Sequence, residues 1–433
     1  MLRNKRIILA LTGGIALYKW CAVVRGLVKA GAVVRIAMTE NATRFVTPVT
    51  FEALSGHPVA LTEWAAGPEG AMPHIELTRD ADLLVVGPAT ANILAKAAHG
   101  IADDLVSTLI AARRCPTAVV PAMNVEMWTH PANQRNVKTL KDDGFLFFGP
   151  AQGSQACGDV GEGRMIEPEE ILERIAGAFV EKTLTGRRVV MTAGPTYEAI
   201  DAVRGITNRS SGRQGFALAR AFRDAGAEVV VVAGPVTVVP PPGVEVRRVT
   251  SALEMKAAVD EALNEKPAHI FAGVAAVADW RPEASVDGKI KKKDLKSEEQ
   301  ADGKTEEVAK SPMGPQLRWV ENPDILQGVA ARRDVPVTVG FAAECADVEA
   351  YAREKCRRKG CAFVVANDAR TAPQANENRV LIVTPSETVA YGPATKDDVA
   401  RFIVARAAAA LRAREEDASE GAFEPERSFQ RKG

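Results

Sequence analysis

The chain has 433 residues, with 55 lysines and arginines against 55 aspartates and glutamates, so its formal net charge is zero. One hydrophobic core stops growing near about 250–300 residues, so this length predicts two domains. The balanced charge argues against a partner bound by bulk electrostatics, such as nucleic acid or an acidic membrane surface, and leaves small anionic substrates open.

The opening residues and the cysteines indicate a cellular compartment. Residues 1–6 lead into a short apolar run that is not long enough for a signal-peptide core or a membrane span. The six cysteines have neither CxxC spacing nor the density of a disulfide scaffold. We therefore expect a cytoplasmic protein with reduced thiols, in which any important cysteine acts chemically.

Strand-length apolar runs alternate with helical patterns from the start of the chain. The first predicted unit is a strand at 6–11, a helix at 16–30 and a strand at 33–38. The next predicted elements are strands at 81–86 and 117–120 and helices at 92–98, 103–113 and 132–142. This order predicts a doubly wound, parallel sheet.

The pattern begins again after a helical stretch at 169–183. A strand at 188–192, a helix at 215–225 and a strand at 228–233 repeat the opening order, and Gly226 ends its helix as Gly31 does in the first half. We place the domain boundary between about residues 170 and 187. The prediction is two Rossmann-like α/β domains, at 1–185 and 186–412. A charged tail follows at 413–433, disordered from Glu415, and the polar segment 289–314 is expected to be a mobile loop.

Two polar loops follow strands of the first half. The run Thr12-Gly13-Gly14-Ile15-Ala16 ends one strand and opens a helix, so its backbone amides could bind a phosphate. The run Pro88-Ala89-Thr90-Ala91-Asn92 follows another strand at the same carboxyl edge, where ligands of such folds bind. The first run is not GxGxxG, which disfavours a dinucleotide dehydrogenase, and a tight turn explains its glycines equally well.

Three further positions carry reactive or polar side chains. His74 lies in a loop just before a strand-rich segment, Asn124 ends a strand, and Cys157 lies in the glycine-punctuated loop 153–165. Taken singly, each has a structural explanation as an exposed histidine, a turn-forming asparagine or an inert buried cysteine.

Together these motifs resemble the flavin-containing cysteine decarboxylases, in particular phosphopantothenoylcysteine decarboxylases, over residues 5–180. Thr12 and Asp103 stand where relatives often have serine and asparagine, and neither change removes a catalytic group. The resemblance implies a flavodoxin-like domain that binds FMN through Gly13, Gly14, Ile15, Thr39, Pro88, Thr90, Asn92 and Ser107.

The same resemblance implies the chemistry. Loss of CO₂ from a cysteine carboxylate needs an electron sink, which oxidation of the substrate's thiol carbon by FMN creates. By resemblance, His74 acts as an acid/base near the reacting thiol and Asn124 holds the substrate carboxylate. Cys157 donates the proton that completes reduction of the resulting enethiol to phosphopantetheine.

The second half contains another polar run ahead of a helix. Residues 201–215 combine glycine amides, hydroxyls and cations, as phosphate binding requires, although a solvated turn with an N-cap is the alternative. From Arg204 to Gly215 the run resembles the phosphopantothenate–cysteine ligase family. Further motifs of that family follow in order at 275–280, 289–292, 322–326 and 340–344.

The ligase resemblance spans about residues 186–412, with a longer stretch than the family pattern at 295–316. It implies that CTP, with Mg²⁺, activates a carboxylate as an acyl-cytidylate. Lys289 would stabilise charge on the reacting phosphate, and Asn208 would position the intermediate for attack by the amine of cysteine. The implied nucleotide contacts are Gly273, Val274, Ala275, Asp279, Lys289, Asn322, Pro323, Asp324, Ile325, Phe341, and Lys355 and Lys359 on one helical face.

Two rival functions stay open on the residues alone. A regulatory subunit could keep the flavin fold without turnover, but the joint presence of His74, Asn124 and Cys157 argues against it. A peptide-cysteine decarboxylase would have no use for a fused ligase. CTP versus ATP and the metal ligands are not decided by the sequence.

The resemblance also implies partners. These are the small molecules 4'-phosphopantothenate, cysteine, CTP and phosphopantothenoylcysteine, without nucleic acid or membrane. It further implies a homo-oligomer built on trimers of the flavin domain, with flavin between protomers, and on dimers of the ligase domain.

Overall fold

The computed structural model describes residues 2–64, 73–285, 287–290, 317–344, 346–368 and 377–421. The chain divides into two compact units, Met1–Phe179 and Val180–Gly433. Across these described ranges, no helix is long and apolar enough to cross a membrane. The predicted mobile loop at 289–314 lies outside the described residues beyond Ile290.

The first unit is built on a six-stranded parallel sheet. Its strands are β1 (Arg6–Leu11), β2 (Val33–Met38), β3 (Val59–Ala60), β4 (Leu83–Ala89), β5 (Thr117–Pro121) and β6 (Leu146–Phe147), followed by the antiparallel hairpin β7 (Ala151–Ser154) and β8 (Val160–Arg164). The strand order is β3-β2-β1-β4-β5-β6, and every pairing in the sheet is parallel.

Helices cover both faces of this sheet. A short 3-10 helix (Ile15–Lys19) precedes α1 (Trp20–Lys29), α2 (Glu40–Thr43), α3 (Pro48–Ser55), α4 (Pro73–Arg79), α5 (Ala91–His99), α6 (Leu105–Ala112), α7 (Val125–Thr129), α8 (Pro131–Asp142) and α9 (Pro168–Ala178). Ile7 and Leu9 of β1 belong to one apolar core, whereas Ile8 and Ala10 belong to the core on the opposite face. Burial on both faces explains why the strands are continuous apolar runs.

The second unit has a mixed eight-stranded sheet. The strands of this unit are β9 (Arg188–Ala193), β10 (Tyr197–Ala199), β11 (Gly205–Thr207), β12 (Glu228–Ala233), β13 (Glu245–Arg248), β14 (Ile270–Gly273), β15 (Trp280–Pro282), β16 (Trp319–Glu321), β17 (Val337–Glu344), β18 (Phe363–Asp368), β19 (Glu377–Val383) and β20 (Thr388–Thr395). The main sheet has the order β13-β12-β9-β14-β17-β18-β19-β20. It is parallel up to β18 and antiparallel from there to β20, while β10-β11 and β15-β16 form separate antiparallel pairs.

The helices of the second unit are α10 (Arg213–Asp224), α11 (Ala252–Glu265), α12 (Ile325–Ala330), α13 (Val348–Lys359) and α14 (Lys396–Gly421). The predicted fold class, two α/β domains on doubly wound parallel sheets, is confirmed. The antiparallel edge formed by β19 and β20 is an addition that the sequence pattern did not predict.

Three local predictions are wrong. The helix predicted at 169–183 ends at Ala178, and His74 lies inside α4 rather than in a loop before a strand. The expected disorder from Glu415 is incorrect as far as Gly421, because α14 continues to that residue. The helix buries Ile403, Ala407 and Leu411 against the core, and Glu415 pairs with Arg187 at 3.0 Å.

Candidate active sites

The loop that follows β1 meets the last residues of β4 at the carboxyl edge of the first sheet, so Pro88 and Ala89 of the predicted loop belong to the strand. The Thr12 hydroxyl donates to the carbonyl oxygen of Pro88 at 2.5 Å. A Cβ atom on Gly14 would lie 3.4 Å from Pro88 and 3.7 Å from Thr90. At Gly13 a Cβ atom would lie 2.6 Å from that of Asn41, so a side chain there would clash with α2. The predicted runs 12–16 and 88–92 therefore lie next to each other.

Hydroxyl groups at this edge cap helices. Thr39 accepts a hydrogen bond from the backbone of Ala42 at 3.3 Å, and Thr90 accepts one from Ile93 at 3.4 Å. Both threonines retain a hydroxyl proton to donate. The first backbone N–H groups of a helix, here α2 and α5, have no carbonyl partner within the helix itself. This edge combines backbone donors and hydroxyls, which is a donor set suited to an anionic group.

Three other predicted cofactor residues have different environments. Ile15 is exposed, with 62 % of its surface accessible, and Asn92 is also exposed. The Ser107 side chain is buried, and its hydroxyl accepts hydrogen bonds from the backbones of Asp103 and Asp104 at 3.1 and 3.0 Å. Ser107 is thus committed to the start of α6, where Asp104 completes a capping box.

Asn124 and Cys157 are brought together, although they are distant in sequence. Asn124 caps α7 through its Oδ1, which accepts from the Glu126 backbone at 2.8 Å. Its Nδ2 lies 3.4 Å from Sγ of Cys157 and donates to Oδ2 of Asp159 at 2.7 Å. The same Asp159 oxygen lies 3.2 Å from the Cys157 sulfur. An amide, a thiol and a carboxylate therefore form one polar cluster.

The β7-β8 hairpin carries Cys157 and Asp159 of this cluster and is hydrogen-bonded to α7. Gln155 accepts from the Val125 backbone at 3.1 Å, and the Trp128 indole donates to Glu162 at 3.1 Å. Cys157 is exposed, so its thiol is accessible to a ligand. Asp159 was not among the predicted site residues, although its position two residues after Cys157 was available as a signal.

His74 stands apart from this cluster. Among the described residues, its Nδ1 atom is buried without a hydrogen-bond partner, and no hydrogen bond links its side chain to Asn124 or Cys157. The helix that carries it, α4, packs against α6. An unpaired buried imidazole nitrogen is available to a ligand that brings its own polar group.

In the second unit, the Asn208 run lies against residues 275–278. The Asn208 amide donates to the carbonyl oxygens of Ala276 and Val277 at 3.1 and 3.2 Å. The Thr196 hydroxyl accepts from the Ala278 backbone at 3.0 Å, and the Thr192 hydroxyl accepts from the Ala275 backbone at 3.1 Å. Two motifs predicted to act on one substrate are therefore adjacent.

The other predicted nucleotide residues surround the ends of β14 and β17. Gly273 ends β14, and Val274 and Ala275 follow it. Asn322 donates through Nδ2 to the Ala278 carbonyl, and its backbone donates to the Asp279 carbonyl, both at 2.8 Å. The turn continues through Pro323 to Asp324, which caps α12 just before Ile325.

Lys355 and Lys359 extend from α13 toward this region. Lys355 donates to the carbonyl oxygen of Phe341 at 2.7 Å, and Lys359 forms an ion pair with Asp324. Burial lowers the pKa of the Lys355 ammonium below its ordinary value. The two lysines lie four residues apart in α13, the spacing that places side chains on one helical face.

Lys289 is exposed, but the next residue is tethered. The Ile290 backbone donates to Asp201 at 3.2 Å, and Arg204 donates to the Ile290 carbonyl at 2.9 Å. Lys289 is thereby held beside the loop that leads to Asn208. Within the described part of the chain, no group of three or more His, Cys, Asp or Glu side chains could hold a metal ion.

Comparison with known families gives the class of protein. Residues 1–180 match a family profile described as Flavoprotein, and residues 184–411 match one described as DNA/pantothenate metabolism flavoprotein C-terminal domain. The chain is therefore a flavoprotein with two α/β domains of different families.

Whole-length relatives define the family more narrowly. The chain is 45 % identical to the coenzyme A biosynthesis bifunctional protein CoaBC of Vibrio cholerae, with 88 % of this chain and 92 % of that protein aligned. The CoaBC protein of Escherichia coli is 44 % identical, with 86 % of this chain and 88 % of that protein aligned. The CoaBC protein of Bacillus subtilis is 42 % identical, with 86 % of this chain and 87 % of that protein aligned. The chain belongs to this family and is a bifunctional enzyme of coenzyme A biosynthesis, a ligase and a decarboxylase. Both predicted family resemblances are confirmed.

Solved structures of single domains are also similar. The C-terminal domain of a CoaBC protein is 32 % identical and covers 54 % of this chain and 100 % of its own, with a TM-score of 0.43. A PPC decarboxylase mutant complexed with pantothenoylaminoethenethiol is 32 % identical and covers 40 % of this chain and 97 % of its own, with a TM-score of 0.37. The family membership rests on 42–45 % identity over 86–88 % of this chain.

Proposed function

We propose that residues 186–412 join 4'-phosphopantothenate to cysteine through an acyl-cytidylate made from CTP, and that residues 1–185 decarboxylate the product with FMN. The observation that carries the second activity is the cluster formed by Asn124, at the start of α7, with Cys157 and Asp159 in the turn of the β7-β8 hairpin. It offers an amide that can bind a carboxylate and a thiol that can give up a proton, two of the functions that the decarboxylation requires of the protein.

The residues of the first sheet edge fit FMN. Gly13 lies where a side chain would clash, and Thr39 and Thr90 add hydroxyls. In α4, the His74 Nδ1 has no hydrogen-bond partner among the described residues. Gly14, Ile15, Pro88 and Asn92 would complete the binding set, with Ser107 supporting it through α6. When bound, FMN would accept two electrons from the substrate's thiol carbon and return them when the enethiol is reduced.

The protein groups then have separate tasks. Asn124 binds the substrate carboxylate until CO₂ leaves, and His74 exchanges a proton with the reacting thiol. Cys157 protonates the carbon as the enethiol is reduced. Asp159 holds both Asn124 and Cys157, so their positions are coupled through one carboxylate oxygen.

The ligase step needs an activated carboxylate, because a carboxylate is a poor acylating agent. We propose that the substrate carboxylate attacks the α-phosphorus of CTP and releases pyrophosphate, with Lys289 stabilising the developing charge. The amine of cysteine then displaces CMP from the acyl-cytidylate that Asn208 positions. Lys355, which donates to the Phe341 carbonyl, and Lys359, which pairs with Asp324, would bind the nucleotide together with the turn at 322–325.

Three further elements belong to the proposal. Mg²⁺ would accompany the nucleotide phosphates rather than occupy a protein cage. The assembly would be a homo-oligomer with trimers of the first domain and dimers of the second. A cytoplasmic location is supported by the reduced thiol that the role of Cys157 requires.

One experiment tests both activities. Purified protein is supplied with 4'-phosphopantothenate and cysteine, with either CTP or ATP, and the products are identified by mass spectrometry alongside the flavin absorbance spectrum. We expect 4'-phosphopantetheine, CMP and pyrophosphate with CTP, from a yellow protein. A folded preparation that binds no FMN and gains no activity on FMN addition would refute the decarboxylase half. Equal or better turnover with ATP would refute the nucleotide assignment.

A further inference from the structure

Asp201 is a buried carboxylate to which no role has been assigned above. It lies in the loop that joins the antiparallel strands β10 and β11, and only 3 % of its surface is accessible. Its Oδ1 accepts from the backbones of Val203 and Arg204 at 2.9 and 2.7 Å. A buried charge of this kind needs several donors to offset its lost hydration, so its remaining partners are informative.

The second oxygen of Asp201 joins two segments distant in sequence. Oδ2 accepts from the Arg204 side chain, with Nε at 3.0 Å, and from the Ile290 backbone at 3.2 Å. Arg204 completes a ring by donating to the Ile290 carbonyl at 2.9 Å. The hydrogen bond from Arg204 lowers the pKa of the Asp201 carboxyl, so the group is charged at neutral pH.

This ring fixes the residue that follows Lys289. The lysine is exposed, and a long flexible side chain gains catalytic precision only when its backbone is held. We infer that Asp201 is a positioning residue, which locks the Lys289–Ile290 segment onto the Arg204 loop so that Lys289 meets the reacting phosphate. This inference rests on the activating role proposed for Lys289.

The substitution Asp201→Asn probes this lock with little change in size. Its amide nitrogen would face N–H donors whichever way the side chain turns, because both carboxylate oxygens act only as acceptors here. Glu198→Gln is a matched control. Glu198 is a carboxylate of β10 that is equally buried, but it accepts from the Ala252 backbone at 3.0 Å rather than from the Ile290 backbone.

Pyrophosphate release is measured with 4'-phosphopantothenate and CTP but without cysteine, in the full-length holoenzyme. Asp201→Asn should slow this step by about tenfold or more, whereas Glu198→Gln should stay within about twofold of the parent. When Lys289→Gln is already present, adding Asp201→Asn should lower the rate of pyrophosphate release by less than about a further twofold, because Asp201 acts through Lys289. If Asp201 only stabilised the fold, the decreases in rate caused by Asp201→Asn and Lys289→Gln would multiply in the double variant.

A second readout does not depend on activity. Brief trypsin treatment followed by mass spectrometry measures cleavage between Lys289 and Ile290, which should be faster in Asp201→Asn than in the parent or Glu198→Gln. Unchanged cleavage, or losses that multiply with Lys289→Gln, would overturn the positioning role alone. A parent-like rate of pyrophosphate release in Lys289→Gln would instead show that the proposed activating role of Lys289 is wrong.

Discussion

The amide nitrogen of Asn124 lies 2.7 Å from Oδ2 of Asp159, and the Cys157 sulfur lies 3.2 Å from the same oxygen. One carboxylate therefore holds the two groups proposed to bind the substrate carboxylate and to supply the closing proton. Substitution of Asn124 and substitution of Cys157 should therefore affect different steps of the decarboxylation.

Cys157→Ser should block the end of the reaction rather than its beginning. A serine hydroxyl is similar in size to a thiol but a much weaker acid, so proton transfer to the reacting carbon should slow by about a hundredfold or more. Enethiol should accumulate while the flavin absorbance stays bleached. Stopped-flow absorbance and mass spectrometry of quenched reactions measure these two signals. Normal yields of phosphopantetheine would remove Cys157 from this role.

Asn124→Asp should act earlier. The new carboxylate would face Asp159 where an N–H group now donates, and it would also repel the substrate carboxylate. The first bleaching of the flavin on mixing with substrate should therefore slow by about tenfold or more. Glu126→Gln on the neighbouring turn of α7 changes an exposed charge and should leave that rate near the parent value. Equal bleaching rates for Asn124→Asp and the parent would argue against carboxylate binding by Asn124.

The sequence predicted the parts of the fold that depend on local pattern. Strands β1, β2 and β12 begin and end where the apolar runs do, because sheets buried on both faces impose continuous hydrophobicity. The start of the tail was misjudged, since charged residues continue α14 once its buried face has anchored it to the core.

Local sequence patterns did not predict the contacts between segments that are distant in the sequence. Asn124 and Asp159 are 35 residues apart, and Asp201 and Ile290 are 89 residues apart. The family motifs located Asn124, Cys157, Asn208 and Lys289, but a motif does not tell which carboxylate supports each of them. Those partners follow only from how the loops close in three dimensions.

Lys355 predicts a pH dependence of nucleotide binding. Burial lowers its pKa in the folded protein, so the ammonium loses its charge at a lower pH than an ordinary lysine, whose pKa is about 10.4. The KM for CTP should therefore rise with increasing pH, and this rise should begin at a lower pH than the one at which solvent-exposed lysines lose their charge. Over the same pH window the free energy of unfolding should increase, because the unfolded chain then binds more protons than the folded one.

Lys355→Gln provides the control for that profile. The variant should have a raised KM for CTP already at neutral pH and no further rise on the alkaline side. Initial-rate measurements of pyrophosphate release between pH 7 and about 10 give both quantities. A parallel alkaline rise in the parent and the variant would assign the titration to another group.

Lys289 and Asn208 should fail at different half-reactions, although loss of either abolishes net amide synthesis. Lys289→Gln removes the charge proposed to stabilise the phosphate during activation, so little pyrophosphate should be released. Asn208→Asp hardly changes side-chain volume but places a carboxylate beside the Ala276 and Val277 carbonyls and an anionic intermediate. Activation should then proceed while transfer to cysteine slows.

The acyl-cytidylate separates these outcomes, because it accumulates only if it forms faster than it is consumed. Mass spectrometry of reactions quenched with and without cysteine should detect the intermediate in Asn208→Asp, and pyrophosphate release should precede amide formation. In Lys289→Gln neither product should exceed a small fraction of the parent yield. An abundant intermediate in Lys289→Gln, or none in Asn208→Asp, would reverse this division of labour, since the carbonyl contacts of Asn208 would then serve activation rather than aminolysis.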